Sequence, residues 1–527
     1  MSVSSAAPAP PVTPILTPFS PAPVRTTAGG NLSAILWDAA AARGADSAIV
    51  ACDCAWSYGE LRARASAIAE YLAAFGIERG DRVAIFLDRG GDAAASIFAV
   101  HAIGAIGVVI SERFRPRQIE YVLTHSGARA LLTSSQILER QPRPLDTTAA
   151  LIDVETIGID GSVVPVSCAG ADIAQILYTS GSTGMPKGVA FSHGSLLSGV
   201  ATVAGYLGLV AEDRIASLLP FSSVYGLNQL LSAVQVGATL VVENSPLPIQ
   251  IVERLRDERV TVAAAVPPLW LQLLGVPSFI AEPIATLRII QNAGGHCPRD
   301  AVRQLRAAQP GASIFLQYGM TETFRSTFLP PAYIDERPDS MGRPMPGVEI
   351  LVVADDGSPC AAGEIGELVH SGPTIASGYW ADPEGTARVF RPHPCAAERV
   401  GATRVVYSGD MVRRDAEGFL YFVSRRDRMI KSLGFRIGPD EVVDVLFASG
   451  AIGEAVIMTE PDVQRGERII AYVALKENGS LTALRQFCRT ELPRHMQPAR
   501  IELRASLARL PSGKYDLETI RTDPSPP

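Results

Sequence analysis

The sequence predicts an α/β protein with a large N-terminal part, built of α/β subdomains with parallel sheets plus an antiparallel β unit, and a small C-terminal α+β part. Three observations carry this expectation. Short apolar strands alternate with helical segments from residue 31 onward, the rhythm of parallel sheets covered on both faces. Residues 342–378 are rich in Gly and Pro and hold short alternating strands, which suits an antiparallel unit. Beyond residue 427 the pattern changes again, to a module large enough to be its own domain.

In chain order, residues 1–30 read as a disordered Pro-rich tail, with Pro, Ala, Ser and Thr dominating the first 25. Residues 31–43 read as a helix, and 57–75 as another with Ser57 as N-cap and Glu60 three positions on. A strand is expected at 80–87. The uncharged stretch 93–110 is about as long as a minimal membrane span. Its Ala and Gly content and His101 fit a buried helix (93–103) better, ending near Gly104 and followed by a strand at 108–110, so no transmembrane helix is expected. Residues 115–126 read as a helix and 128–133 as a strand. Further buried strands are expected at 214–219, 238–242, 260–266 and 313–317, and antiparallel ones at 348–353 and 367–370. In the C-terminal part, a helix at 439–448 opens with Pro439, Asp440 and Glu441, and strands at 454–459 and 468–475 precede a helix at 481–492. The expected domains are 31–426 and 427–527.

A chain of 527 residues with 47% hydrophobic content has room for large cores and more than one domain. Its net charge of −7 gives no support for nonspecific nucleic-acid binding through a basic surface. Seven cysteines are an odd and mostly scattered set; only Cys52 and Cys54 are close, with no partner pair at zinc-site spacing. They read as reduced thiols of a cytoplasmic protein.

The segment YTSGSTGMPKG, residues 178–188, concentrates glycines, hydroxyl side chains and one lysine between two apolar runs. Gly lets backbone approach an anion closely, Ser and Thr donate neutral hydrogen bonds, and Lys187 adds a mobile positive charge. The loop suits a polyphosphate. It is not the P-loop pattern, because Lys187 is followed by Gly188 rather than Ser or Thr. A second motif, Gln317-Tyr318-Gly319-Met320-Thr321-Glu322-Thr323, follows an apolar strand and so sits where open α/β sheets bind ligands. Glu322 is a hard oxygen ligand suited to Mg²⁺ on ATP phosphates, Thr321 can donate to a phosphate, and Tyr318 offers a ring to a base. A third set is Tyr407-Ser408-Gly409-Asp410 with Ser424-Arg425-Arg426-Asp427, and a fourth is Leu510-Pro511-Ser512-Gly513-Lys514.

In this order, over roughly residues 31–520, the motifs resemble the AMP-forming adenylating superfamily of acyl-CoA ligases, adenylation enzymes and firefly-type luciferases. They look most like bacterial acyl-CoA or acyl-carrier-protein ligases of secondary-metabolite or polysaccharide-associated clusters. The resemblance implies ATP and Mg²⁺ as cofactors. It makes Thr179, Ser180, Gly181, Ser182, Thr183, Gly184 and Lys187 the phosphate loop, with Glu322 holding the metal. Asp410 would hold the ribose and Arg425 would reach the nucleotide. Gly294 and Gly295, in Asn292-Ala293-Gly294-Gly295, match the loop against adenine, with Tyr318, Gly319 and Thr321 beside it. Lys514 matches the catalytic lysine, and Lys431 and Gly434 match the loop that enters for the thiol step. Asp427 maps to the hinge about which the C-terminal domain turns. The chain departs from the pattern at Ser424, where Gly is usual, and at Tyr515 and Leu517 after the lysine.

The implied chemistry is two half-reactions. Adenylation of a carboxylate makes a mixed anhydride, with Lys514, Glu322, Thr179 and Lys187 offsetting charge, and a thiol then displaces AMP. The segment Leu219-Pro-Phe-Ser-Ser-Val-Tyr-Gly-Leu-Asn228 matches the pocket motif. Amino-acid-selecting members place an Asp there, where this chain has Ser223 and Val224, and an unpaired buried ammonium would be costly. Val266, within Ala-Ala-Ala-Val-Pro-Pro, and Leu227 suggest an apolar pocket that Gly294 and Gly319 complete. A fatty or other aliphatic acid is therefore expected, with coenzyme A or a carrier-protein phosphopantetheine as acceptor. An amino or aryl acid, a luciferase-like oxygenase and a non-catalytic nucleotide sensor stay open.

Overall fold

A computed structural model describes residues 30–52, 54–179, 186–394, 404–428, 430–432, 435–462, 466–510 and 513–523. Two mixed sheets carry the N-terminal part. In the nine-stranded sheet, Ser47–Val50, Thr239–Val242, Arg214–Ser217, Val262–Ala265, Ile289–Asn292 and Ser313–Tyr318 run parallel. Ala55–Ser57 closes one edge, and Thr327–Leu329 with Arg343–Pro344 closes the other, all antiparallel. In the seven-stranded sheet, Ala150–Asp153, Ala130–Thr133, Arg82–Ile85, Ile106–Val109 and Ile173–Thr179 are parallel. Lys187–Ser192 and Gly378–Tyr379 add antiparallel strands.

The fully buried parallel strands read as short apolar runs because helices cover them. Tyr58–Ala74, Gly91–Ala102, His193–Leu207 and Val224–Val236 contribute to one large core with strands of both sheets. Ser57 caps the first of these, its hydroxyl accepting from the Glu60 amide while the Glu60 carboxylate accepts from the Ser57 amide at 2.7 Å. The first helix begins at Ala34 rather than residue 31. The Asn31 side chain folds back, accepting from the Ser33 amide at 2.9 Å and donating to the carbonyls of His101 and Val166, so the chain enters the helix through an Asn-centred turn. No described helix is long and apolar enough to cross a membrane.

The antiparallel unit is a five-stranded sheet of Glu349–Val353, Ile365–Ser371, Arg404–Arg414, Phe390–Pro392 and Leu420–Arg425. The C-terminal part is built on a second five-stranded sheet, Phe435–Ile437, Ile430–Ser432, Gly466–Leu475, Ile452–Asp462 and Arg500–Leu503. Pro439–Ala448 and Leu481–Glu491 pack on it around Leu446, Val473 and Leu484. Leu271, from the helix Pro267–Leu274, inserts against this C-terminal core, so the two parts are docked. Cys168, Cys297, Cys360 and Cys488 are buried free thiols.

Candidate active site

Thr179 and Lys187 face each other as the last register pair of the hairpin Ile173–Thr179/Lys187–Ser192. The hairpin therefore fixes both ends of the segment expected to cradle phosphates. Ser180, Gly181, Ser182, Thr183 and Gly184 lie outside the described residues, as do Gly434 and the side chains of Asp427 and Lys431. The short strand Gly378–Tyr379 pairs with the outer strand of the hairpin. That pairing brings the Tyr379 ring to 5.5 Å from the Lys187 ammonium, and the Tyr379 hydroxyl donates to Glu322 at 2.6 Å. Burial first, then the Glu322 carboxylate, pushes the Tyr379 phenol well above its usual range, so it stays a donor. Its place in Ser377-Gly378-Tyr379-Trp380 has no periodicity to single it out; the only signal was an aromatic beside a glycine.

Glu322 sits in a 3-10 turn, Thr321–Thr323, directly after the strand Ser313–Tyr318. Phe324 closes the turn with φ 63° and ψ −63°, and the Arg325 amide donates to the Thr323 carbonyl at 2.7 Å. This is a γ-turn of the strained hand, on a fully buried phenylalanine. The surroundings over-determine it: Thr374 donates to the Thr323 carbonyl at 2.9 Å, and the Ala376 amide to that of Glu322 at 2.8 Å. Gly319 is required beside it, since a Cβ there would lie 2.9 Å from the Arg325 Cα.

Asp410 is not on a turn but within the long strand Arg404–Arg414, opposite Arg425 of Leu420–Arg425. Arg425 donates to one carboxylate oxygen at 2.9 Å and the Tyr318 hydroxyl to the other. Burial raises the Asp410 carboxyl above its ordinary value, against the pull of Arg425, Tyr318 and Lys514. Burial and the same carboxylate hold Tyr318 protonated far above its usual range.

Lys514 arrives from the far end of the chain. The Leu510 amide donates to the Lys514 carbonyl at 2.8 Å, forming the tight turn that presents it. Gly513 lies against Val266, and the Lys514 Cε would be 3.7 Å from a Cβ at Gly294, whose φ of +84° favours glycine. Lys514 as a residue is exposed, while protein groups around its ammonium desolvate it. Burial pulls it below the ordinary lysine range, while Asp410 and Glu322 pull it back up. Gly295 abuts Pro267.

The pocket residues separate into two groups. Val266 packs with Leu219, Tyr225, Ala264 and Ala293, a small apolar wall leading away from Gly294 and Lys514. Leu227 does not join it: two positions beyond Tyr225 on Val224–Val236, it points into the main core and is fully buried there. Ser223 is the N-cap of that helix, its hydroxyl accepting from the Gly226 amide at 3.0 Å and donating to the Pro220 carbonyl at 2.9 Å, so it is committed to the cap. Tyr225, one residue after Val224 in the pocket motif and so in reach of sequence reasoning, is the aromatic of the wall.

Negative, positive and hydroxyl groups thus converge from several separate elements. Glu322, with a hydroxyl donor fixing one oxygen, fits a hydrated divalent cation carried on phosphates. No group of three or more His, Cys, Asp and Glu side chains able to hold a metal by itself occurs among the described residues.

Residues 36–380 match the AMP-binding enzyme family and residues 441–514 match the AMP-binding enzyme C-terminal domain. The chain is 30% identical over 478 residues to novobiocin biosynthesis protein H of Streptomyces niveus, covering 87% of this chain and 77% of that protein. It is 27% identical over 466 residues to gramicidin S synthase 2 of Aneurinibacillus migulanus, matching 88% of this chain but spanning only 10% of that much longer protein. Among solved structures, the o-succinylbenzoate CoA synthetase of Bacillus subtilis in complex with its acyl-adenylate intermediate superposes with a TM-score of 0.81 at 27% identity. That match covers 93% of this chain and 98% of that one. The same enzyme has been solved with ATP and a magnesium ion. With both parts matched in chain order, the chain belongs to the AMP-binding enzyme family of adenylate-forming ligases.

Proposed function

We propose that the protein is an ATP-dependent acid–thiol ligase. The single observation that carries this is Lys514, set against Gly294 and within the fields of Asp410 and Glu322. In the first half-reaction a carboxylate oxygen attacks the α-phosphorus of ATP. An oxygen–phosphorus bond forms, the bond to the β-phosphate bridge breaks, and pyrophosphate leaves. Lys514 bridges the two anions, which otherwise repel, and holds them for in-line attack. Thr179 and Lys187 flank the departing phosphates, while Gly294, Gly295, Gly319 and Thr321 bracket the nucleotide. Asp410, preset by Arg425 and Tyr318, accepts from the ribose hydroxyls. Glu322 would hold a Mg²⁺ whose charge neutralises the leaving group. In the second half-reaction a thiolate attacks the acyl carbonyl and AMP leaves. Rotation of residues 427–527 about Asp427 withdraws Lys514 and brings in the segment of Lys431 and Gly434.

The small apolar wall of Leu219, Tyr225, Ala264, Val266 and Ala293, without a carboxylate, supports a non-amino acid substrate with an apolar body, an aliphatic acid first. The likeness to an o-succinylbenzoate CoA synthetase favours an aryl acid as the second reading. Coenzyme A or a carrier-protein phosphopantetheine is the acceptor, and the likeness to a gramicidin S synthase and a novobiocin biosynthesis protein favours a secondary-metabolite setting. A panel of carboxylic acids assayed for AMP release, with coenzyme A and with a carrier protein, tests this reading. Acid-dependent release that needs ATP and Mg²⁺ supports it, and no release with any acid refutes it.

A further inference from the structure

Arg325 is 3% exposed, makes no ion pair with a described residue, and leaves its Nε and Nη2 without a hydrogen-bond partner. The other buried arginines show how this fold treats a structural guanidinium. Arg64 donates to Asp92 and to the carbonyls of Val154, Ile157 and Gly158. Arg89 donates to the carbonyls of Ser217 and Glu243, and Arg504 to that of Leu503, each leaving only its Nε without a hydrogen-bond partner. At Arg325 the two unpartnered nitrogens share one edge of the guanidinium. That edge has the geometry that binds a carboxylate through two parallel hydrogen bonds. A buried charge left in this state is costly unless something pairs with it.

Its surroundings point the same way. The guanidinium stacks 4.4 Å over the ring of Tyr225, the aromatic of the apolar wall that ends at Val266 and Gly294 beside Lys514. The Tyr206 hydroxyl is buried nearby without a well-formed hydrogen bond. Burial pushes its phenol up to about 12, and the adjacent Arg325 guanidinium opposes that rise through its charge and a loose contact. One turn along the helix from Tyr225, Gln229 has neither amide atom bonded. The wall therefore runs from one cation, Lys514, to a second cation among unused donors.

We infer that the acid this enzyme activates carries a second carboxylate, which the Arg325 edge receives while Lys514 handles the carboxylate being adenylated. The inference rests on the ligase reading above and names the substrate class for it. The second carboxylate makes two charge-assisted bonds to Nε and Nη2 and can accept a third from Tyr206. Admission to this closed edge takes side-chain rotations of the kind that commonly accompany ligand binding. The apolar wall between the two cations accommodates the body of the acid, aliphatic or aryl.

The test is acid-dependent ATP–pyrophosphate exchange by the full chain on matched pairs: hexanedioate with hexanoate, and isophthalate with benzoate. The expected result is a higher kcat/KM for the dicarboxylate in at least one pair, and the pair that shows it tells aliphatic from aryl. In Arg325→Met the ratio of dicarboxylate to monocarboxylate kcat/KM falls on the order of 100-fold, and Arg325→Lys recovers part of it. A wild-type preference for the monocarboxylate in both pairs overturns the inference, whether or not the variants fold. So does an Arg325→Met variant that lowers both members of a pair equally. Exchange with monocarboxylates alone leaves the ligase reading standing, whereas the absence of exchange with every acid removes that reading and the inference with it.

Discussion

Lys514 and Tyr379 illustrate how single side chains divide the work of the site. Lys514 lies beside Gly294 and feels both Asp410 and Glu322, a setting that suits the adenylation role proposed for it. Lys514→Ala is expected to lower acid-dependent pyrophosphate exchange roughly 100- to 1,000-fold, while thioester formation from preformed acyl-AMP is spared. Single-turnover rates of the two half-reactions check this, and equal losses in both would contradict the division of labour. Tyr379 acts through Glu322. Its hydroxyl fixes one carboxylate oxygen and its ring lies beneath Lys187. Tyr379→Phe keeps the ring and removes the donor, so the Mg²⁺ concentration for half-maximal adenylation should rise about tenfold, the usual effect of losing an outer partner of a metal ligand. An unchanged Mg²⁺ dependence would show that Glu322 needs no such support. The strained Phe324 turn belongs to the same scale: it points Glu322 and Arg325 in different directions within three residues.

Among elements, local signals performed best where a helix or strand is governed by its own residues. The capping box at Ser57 and Glu60 was readable from spacing and is present with both of its hydrogen bonds. Ser57→Ala should cost about 1 kcal/mol of unfolding free energy with kcat unchanged, measured as a shift in denaturant midpoint. The helix is remote in sequence from every catalytic motif and its cap is half-exposed. Signals failed where an element exists only because of a distant partner. Gly378–Tyr379 is a strand because Lys187–Ser192 offers its edge, and nothing within two residues encodes that. Asp410, expected from its motif to hold a ribose, lies mid-strand, where the register with Leu420–Arg425 runs through it and bulges just beyond, between Met411 and Val412. Leu227 was assigned to the pocket from its motif, but the helical period turns it to the core and leaves Tyr225 and Val266 as the wall.

At the level of the whole molecule, the docked arrangement is held by a small charged cluster beside Gly294 and Gly295. His296, directly after Gly294-Gly295, bonds Asp444 on the helix Pro439–Ala448 at 2.9 Å, and Arg299 bonds Asp339 at 2.6 Å beside it. Burial alone would lower the His296 imidazole. The bond to Asp444 and the fields of Asp440, Asp444 and Asp339 outweigh it and raise the imidazole from 6.5 to about 9. A histidine whose affinity for protons rises on docking contributes in full below pH 6.5, and that contribution is lost as pH climbs through about 9. The docked form, to which the proposal assigns adenylation, should therefore loosen over this window. A fluorescence distance between the helices Arg299–Ala308 and Pro439–Ala448 should lengthen with pH in the wild type and lose most of that dependence in His296→Gln. A pH-independent distance in the wild type would remove His296 from this role.

The sequence by itself determined the chemistry. Residue types capable of cradling phosphates, holding Mg²⁺, gripping a ribose and bridging two anions occur in an order that already implied an adenylating ligase, and the alternation of strands and helices already implied the α/β layers. Tertiary structure alone decided which of these groups meet. Lys514 lies beside Gly294, Tyr318 bonds Asp410, Tyr379 bonds Glu322, and Arg325 stands over Tyr225. Hydrophobic period reports the face a residue turns to the core, whereas contacts across sheets and between docked parts depend on how whole layers are stacked, and no window of neighbouring residues contains that information.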